Sequence, residues 1–188
     1  MADAASPLRI VLYPDPFLNR KARAVTPEEL RAGQAGGEEL RVLAARMKAA
    51  MDEAEGVGLA APQVGVGLRL FLYDPTPERN ETRVLINPVL SAPAGTLEEE
   101  EGCLSIPEVR AKVKRAQEIT VSGVDLDGRA VRFTAQDLPA RICQHEYDHL
   151  DGILFIQKIG PAARFLLRNK LRALEDEYAL LQRLRKKR

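Results

Sequence analysis

Histidine and cysteine are scarce in this chain, two of each among 188 residues, and tryptophan is absent. Two cysteines cannot build a disulfide framework. No apolar run approaches the roughly 18 residues that a membrane helix needs. The opening residues, Met1 to Pro14, lack the basic start and apolar core of a secretory signal, so a cytoplasmic protein with no membrane contact is expected. Net charge is only +1, which points to neither a nucleic-acid binder nor an enzyme of acidic substrates. That value hides an asymmetry. Residues 161–188 carry nine Lys/Arg and three acids, which leaves nineteen Lys/Arg and twenty-four acids for the rest. A mildly acidic body bears a basic tail.

What is present is globular composition, 45% apolar and 29% charged, which argues against disorder. The length fits a single catalytic domain over 1–188, with 161–188 as a basic C-terminal helix. Thr26, Pro27 and Glu29 form a helix-start signature. Leu40, Leu43, Ala44, Met47 and Met51 recur at helical steps, so a helix is expected over 38–55, ended by Gly56. Residues 68–73, 84–86, 119–124 and 130–133 read as short strands, the last two joined by Asp127-Gly128. A helix capped by Thr134 should run to Leu150. Another should occupy 161–185, with an apolar stripe of Phe165, Leu167, Leu171, Leu174, Tyr178 and Leu181. The Gly33–Gly37 stretch reads as a loop insertion. Helices flanking sequence-local strands predict an α+β fold: small mixed or antiparallel sheets around one central helix, with a C-terminal helix.

Both histidines fall in Gln144-His145-Glu146-Tyr147-Asp148-His149, an H-E-x-x-H pattern. On a helix, positions i and i+4 share a face, so His145 and His149 can serve one metal ion. Glu146 then stands where it can exchange a proton with water at the metal. A catalytic site of this type needs a third protein ligand. Downstream, Glu175 and Glu177 are candidates; upstream, Cys103 in Glu101-Gly102-Cys103-Leu104-Ser105 offers a thiolate suited to Zn²⁺ or Fe²⁺. Cys143, two residues before His145, points to another face of the helix and reads as a buried apolar residue.

Gly56-Val57-Gly58-Leu59-Ala60-Ala61-Pro62-Gln63 contains G-x-G-x-x-A. A dinucleotide site would need a strand before it and a helix after; here a helix precedes and Pro62 interrupts. Its glycines permit either a helix end with a turn or close approach of the backbone to a ligand, with Gln63 as donor to an oxyanion.

Together the three segments resemble peptide deformylase. The family blocks G-x-G-x-A-A-x-Q, E-G-C-L-S and Q-H-E-x-D-H-L-x-G occur here in order, at Gly56–Gln63, Glu101–Ser105 and Gln144–Gly152. The resemblance implies removal of the formyl group from N-formylmethionine on nascent polypeptides, with release of formate. It implies one divalent metal ion, usually Fe²⁺, with Zn²⁺, Ni²⁺ or Co²⁺ able to substitute. Cys103, His145 and His149 would hold it, Glu146 would be the general acid/base, and Gln63 with the Leu104 backbone N–H would meet the developing oxyanion. Val57, Leu138 and Ile142, with Glu101 and Gly102 nearby, match the apolar methionine pocket. The peptide backbone would pair with Gly58 and the strand around Ile106, and Arg110 matches a more distal contact.

Two positions depart from the family pattern. Glu99 and Arg141 stand where apolar pocket residues are usual. The Arg141 stem is expected to line the pocket with its head in water. The other readings are an H-E-x-x-H zinc peptidase with Glu175 or Glu177 as third ligand, and an RNA-binding module. The second is compatible with the deformylase, because the C-terminal helix of some family members docks on the ribosome. Arg183, Arg185, Lys186, Lys187 and Arg188 would pair with rRNA phosphates.

Overall fold

The computed structural model describes residues 8–76 and 80–185. Helix α1 (Pro27–Ala32) starts as its sequence predicts. Thr26 Oγ1 accepts from the Glu29 backbone N–H, and the Glu29 carboxylate accepts from the Thr26 N–H. The glycine stretch after it is not a plain loop. It folds into a two-stranded hairpin, β1 (Gln34–Ala35) with β2 (Glu38–Glu39), so α2 (Leu40–Glu53) begins two residues later than its periodicity predicts.

Five antiparallel strands form the main sheet: β3 (Gly58–Ala60), β4 (Leu70–Tyr73), β5 (Arg83–Ala94), β8 (Glu118–Val124) and β9 (Ala130–Gln136), in the order β3-β4-β5-β8-β9. Strand alternation sends β4 side chains to both faces. Leu70 and Leu72 pack with Leu43, Met47 and Met51 of α2. Phe71 and Tyr73 pack on the other face, with Ala140 and Cys143 of α3 (Asp137–Leu150). Removing a side chain the size of Leu43 from water stabilises the fold by about 1.5–3 kcal/mol. Burial pushes the Cys143 thiol up to about 12, which makes it the inert apolar residue expected.

Helix α3 starts at Asp137 rather than after Thr134. Thr134 and Gln136 remain in the β9 ladder opposite Thr120 and Glu118, and Pro139, which has no N–H to donate, falls in the first turn.

A second two-stranded sheet, β6 (Leu97–Cys103) with β7 (Ile106–Arg115), lies outside the strands read from the residue pattern, although the resemblance implies a strand around Ile106. Val109, Ala111 and Val113 of β7 face a third cluster with Phe155, Ile156 and Leu171.

Helix α4 (Pro161–Arg185) closes that cluster with Leu167, Leu171 and Leu174. Phe165 and Leu181 of the predicted stripe are exposed. Two tyrosines fasten the helix: the Tyr13 hydroxyl donates to Glu175 at 2.5 Å and the Tyr178 hydroxyl to Asp15 at 3.1 Å. No helix among the described residues is long and apolar enough to cross a membrane.

Candidate active site

Three elements converge on one point. His145 and His149, one turn apart on α3, have ring centroids 5.0 Å apart. Cys103, the last residue of β6, brings its Sγ to 3.3 Å from His149 Nε2. One ligand atom from each of Cys103, His145 and His149 lies within 4.8 Å of the others. Such spacing suits donors that share a tetrahedral metal, and one thiolate with two imidazoles is a donor set for Zn²⁺ or Fe²⁺.

The electrostatics fit a metal. Burial, reinforced by the charges of His145 and Arg115, holds the His149 imidazole well below its ordinary pKa, so the ring is neutral and keeps a lone pair. His145 Nδ1 lies 3.1 Å from Glu101 Oε2. Burial alone would raise the Glu101 pKa, but hydrogen bonds from His145 and Arg115 hold it down at about 2. Burial would lower the His145 pKa, but hydrogen bonds with Cys103 and Glu101 raise it to about 10; with Nδ1–H given to Glu101, Nε2 is the nitrogen that a metal would take in place of a proton.

Gln63 stands on the short turn Ala61–Val64 that follows β3. Its Oε1 accepts from the Ala60 N–H at 2.8 Å, which fixes the amide orientation. Nε2 then points at Cys103 Sγ, 3.5 Å away, and at Ser105 Oγ, 3.2 Å away. Glu146 is 4% exposed, and its Oε2 has no partner among the described residues. Burial pushes its carboxyl up to about 7. Gly58 makes room for it: a Cβ there would lie 2.4 Å from Glu146 Oε1.

Above these groups opens a cleft of about 670 Å³. Val57, Gly58, Gly102 and Leu104 line it, as do Ile106, Arg110, Leu138 and Ile142. Every residue predicted to touch substrate is thus at the cleft. Two strand edges border it. Among the described residues, β3 ends the main sheet and pairs only with β4, while β7 pairs only with β6.

The profile described as Polypeptide deformylase matches residues 7–165. The chain belongs to that family. It is 44% identical over 168 residues to a peptide deformylase of Acidobacterium capsulatum, covering 88% of this chain and 94% of the relative. The fold matches a crystal structure of a Legionella pneumophila peptide deformylase with TM-score 0.80 and 37% identity, over 94% of this chain and 98% of the other. A Met-Ala-Ser-bound class I type b peptide deformylase from Acinetobacter baumannii matches with TM-score 0.74 and 35% identity, over 82% and 99% of the two chains. The chain is accordingly a metal-dependent hydrolase that removes the N-formyl group from nascent polypeptides.

Sequence reasoning missed the charged layer behind the deformylase site. The Arg115 guanidinium donates to both Glu101 oxygens, at 2.5 and 2.9 Å, and to Asp148 at 2.8 Å. Lys158 reaches the other Asp148 oxygen at 2.7 Å. Asp148 sits inside the histidine motif and was legible there; Arg115 belongs to no motif and gave no signal beyond its place in the alternation of β7. Glu101 lines the cleft, but its carboxylate is committed to this layer. The Arg141 expectation is corrected. Its side chain is 4% exposed, and its head is buried against Glu101 rather than in water.

Proposed function

We propose that Cys103, His145 and His149 hold one divalent metal ion, Fe²⁺ in the cell, and that one catalytic domain over 1–188 works on N-formylmethionyl chains in the cytoplasm. The observation that carries this reading is the convergence of the Gln63 amide, the Cys103 thiol and the His149 imidazole within 3.5 Å steps, beside the unpartnered Glu146 oxygen. When bound, the metal supplies Lewis-acid charge that acidifies water and polarises the formyl oxygen.

The chain's own residues do the rest. The peptide lies between the edges of β3 and β7 as an added strand. The methionine side chain enters among Val57, Leu138, Ile142 and Gly102, and Arg110 meets the peptide further along. Glu146 accepts a proton from the attacking water. Negative charge gathers on the formyl oxygen, where Gln63 Nε2–H and the Leu104 backbone N–H donate to it. Glu146 returns the proton to the departing amine, the carbon–nitrogen bond breaks, and formate leaves. The Met-Ala-Ser bound by the Acinetobacter baumannii relative begins with the residue that deformylation exposes.

Anaerobically purified protein is expected to hold about one metal per chain and to release formate from a formyl-Met peptide. Chelation should abolish release, and added Fe²⁺, Zn²⁺, Ni²⁺ or Co²⁺ should restore it to different degrees. Fully metallated protein that releases no formate would refute the reading.

The basic end of α4 contacts the ribosome. Arg183 is exposed there, and Lys186, Lys187 and Arg188 lie outside the described residues. The nine Lys/Arg over 161–188 favour rRNA phosphates. Deleting 183–188 is expected to weaken ribosome co-sedimentation and flatten its salt dependence; equal binding by the shortened chain at low and moderate salt would rule the contact out.

A further inference from the structure

Arg141 stands one helical turn before His145 on α3, and the roles assigned so far give it none. Its guanidinium is nevertheless bonded on several sides. Nη2 donates to Glu101 Oε1 at 2.6 Å and to the carbonyl oxygens of Glu99 and Val113, each at 3.0 Å. Nη1 donates to the Leu97 carbonyl at 3.0 Å. Leu97 and Glu99 belong to β6 and Val113 to β7, so one side chain joins α3 to both strands of the hairpin.

Glu101 shows what this joint holds. An ionised carboxylate offers about four acceptor directions. Oε1 accepts from Arg115 Nε at 2.5 Å and from Arg141, while Oε2 accepts from Arg115 Nη2 at 2.9 Å and His145 Nδ1 at 3.1 Å. All four are filled. Arg115 comes from β7 and Glu101 from β6, so that pair ties the hairpin to itself. The bonds that tie Glu101 directly to α3 come from Arg141 and His145. Without Arg141, Glu101 would keep its two-pronged Arg115 pair and be held to α3 by the imidazole at 3.1 Å and, one step removed, by the Arg115–Asp148 pair at 2.8 Å, so the anchor on the turn before His145 would be lost. Cys103 lies two residues beyond Glu101 on the same strand, so the same joint sets how far the thiolate stands from the histidines.

We propose that Arg141 is a positioning residue for the metal site: it holds Glu101, and through Glu101 the His145 ring, and it fixes the Cys103 hairpin against α3. This rests on the metal-site reading above. A planar guanidinium can span a carboxylate and three carbonyls, whereas a lysine ammonium with the same charge cannot.

The test uses Arg141→Met, which keeps the stem that lines the cleft, and Arg141→Lys, which keeps the charge. Metal-free full-length proteins are titrated with Zn²⁺ against a chromogenic chelator, their folding is checked by thermal melting, and Co²⁺-loaded forms are compared by their thiolate absorption band. Both variants are expected to bind Zn²⁺ about 10–100-fold more weakly, the range for losing a supporting partner of a ligand. The Co²⁺ band should shift, and kcat should fall with KM little changed. Folded variants that bind zinc within about twofold of the parent overturn the proposal. If Arg141→Met does not fold, Arg141→Lys decides by the same criterion. Failure of both to fold also overturns it, because Arg141 would then be a stability residue without a separable effect on the site. A parent chain that takes up no zinc refutes the metal-site reading itself, and this inference with it.

Discussion

Cys103→Ala is expected to lower zinc affinity by more than about 100-fold and to abolish formate release, without unfolding the chain. Losing a partner that only supports a ligand costs 10–100-fold, so losing the ligand itself should exceed that range. The apo fold should survive because the thiol is only half-buried and its hydrogen-bond partners, Gln63 Nε2 at 3.5 Å and His149 Nε2 at 3.3 Å, belong to the site itself. The zinc-peptidase alternative predicts the opposite, since its third ligand would be Glu175 or Glu177. Both are exposed on α4, and Glu175 is engaged by the Tyr13 hydroxyl at 2.5 Å. Neither carboxylate joins the metal-ligand group found among the described residues. Chelator competition with Zn²⁺, run beside a formate assay, separates the two. A Cys103→Ala protein that still carries stoichiometric zinc and releases formate would remove Cys103 from the metal site.

The chemistry of the site was legible because each part is carried by a short segment with a restricted residue type. Two histidines four apart on a helix, one thiol after Glu101-Gly102, and a glutamine behind a glycine pair can be read locally. The geometry that joins them was not. β6 contains Glu98-Glu99-Glu100-Glu101, which has low strand propensity and no alternation. It is a strand because β7 places Lys114 opposite Glu98 and Lys112 opposite Glu100, and because Arg115 and Arg141 receive Glu101 from behind. Those partners lie 12 to 40 residues away in sequence, and no window shows them together. Arg141 misled for the same reason. Read alone, a long cation beside a pocket should keep its head in water. Three of its four acceptors are backbone carbonyls, which a sequence never displays. Thr134 was a sound cap by local rules, but pairing with β8 kept it in a strand and moved the start of α3 to Asp137.

Glu146→Ala is expected to keep its metal and lose turnover by about 10²–10⁴-fold, the usual contribution of a positioned acid/base. The two halves of that outcome come from different features. Metal retention follows because Cys103, His145 and His149 form a complete three-donor group without the carboxylate. Loss of turnover follows because one group must take a proton early in the reaction and return it later, which needs a pKa near the working pH. Burial pushes Glu146 up to about 7, and among the described residues Oε2 has no partner to hold it in one protonation state. Its place is also guarded sterically, since a Cβ on Gly58 would lie 2.8 Å from the Glu146 carboxyl carbon. Gly58→Ala should therefore reproduce part of the defect with Glu146 intact, by displacing the carboxylate. Metal analysis and steady-state kinetics on both variants make the comparison. Loss of metal from Glu146→Ala would make the residue a ligand or a structural support. A kcat within about tenfold of the parent would mean that the proton travels by another route. If Gly58→Ala lowers kcat while Glu146→Ala does not, the glycine serves the peptide strand alone, and the 2.4 Å approach to Oε1 has no part in the proton's path.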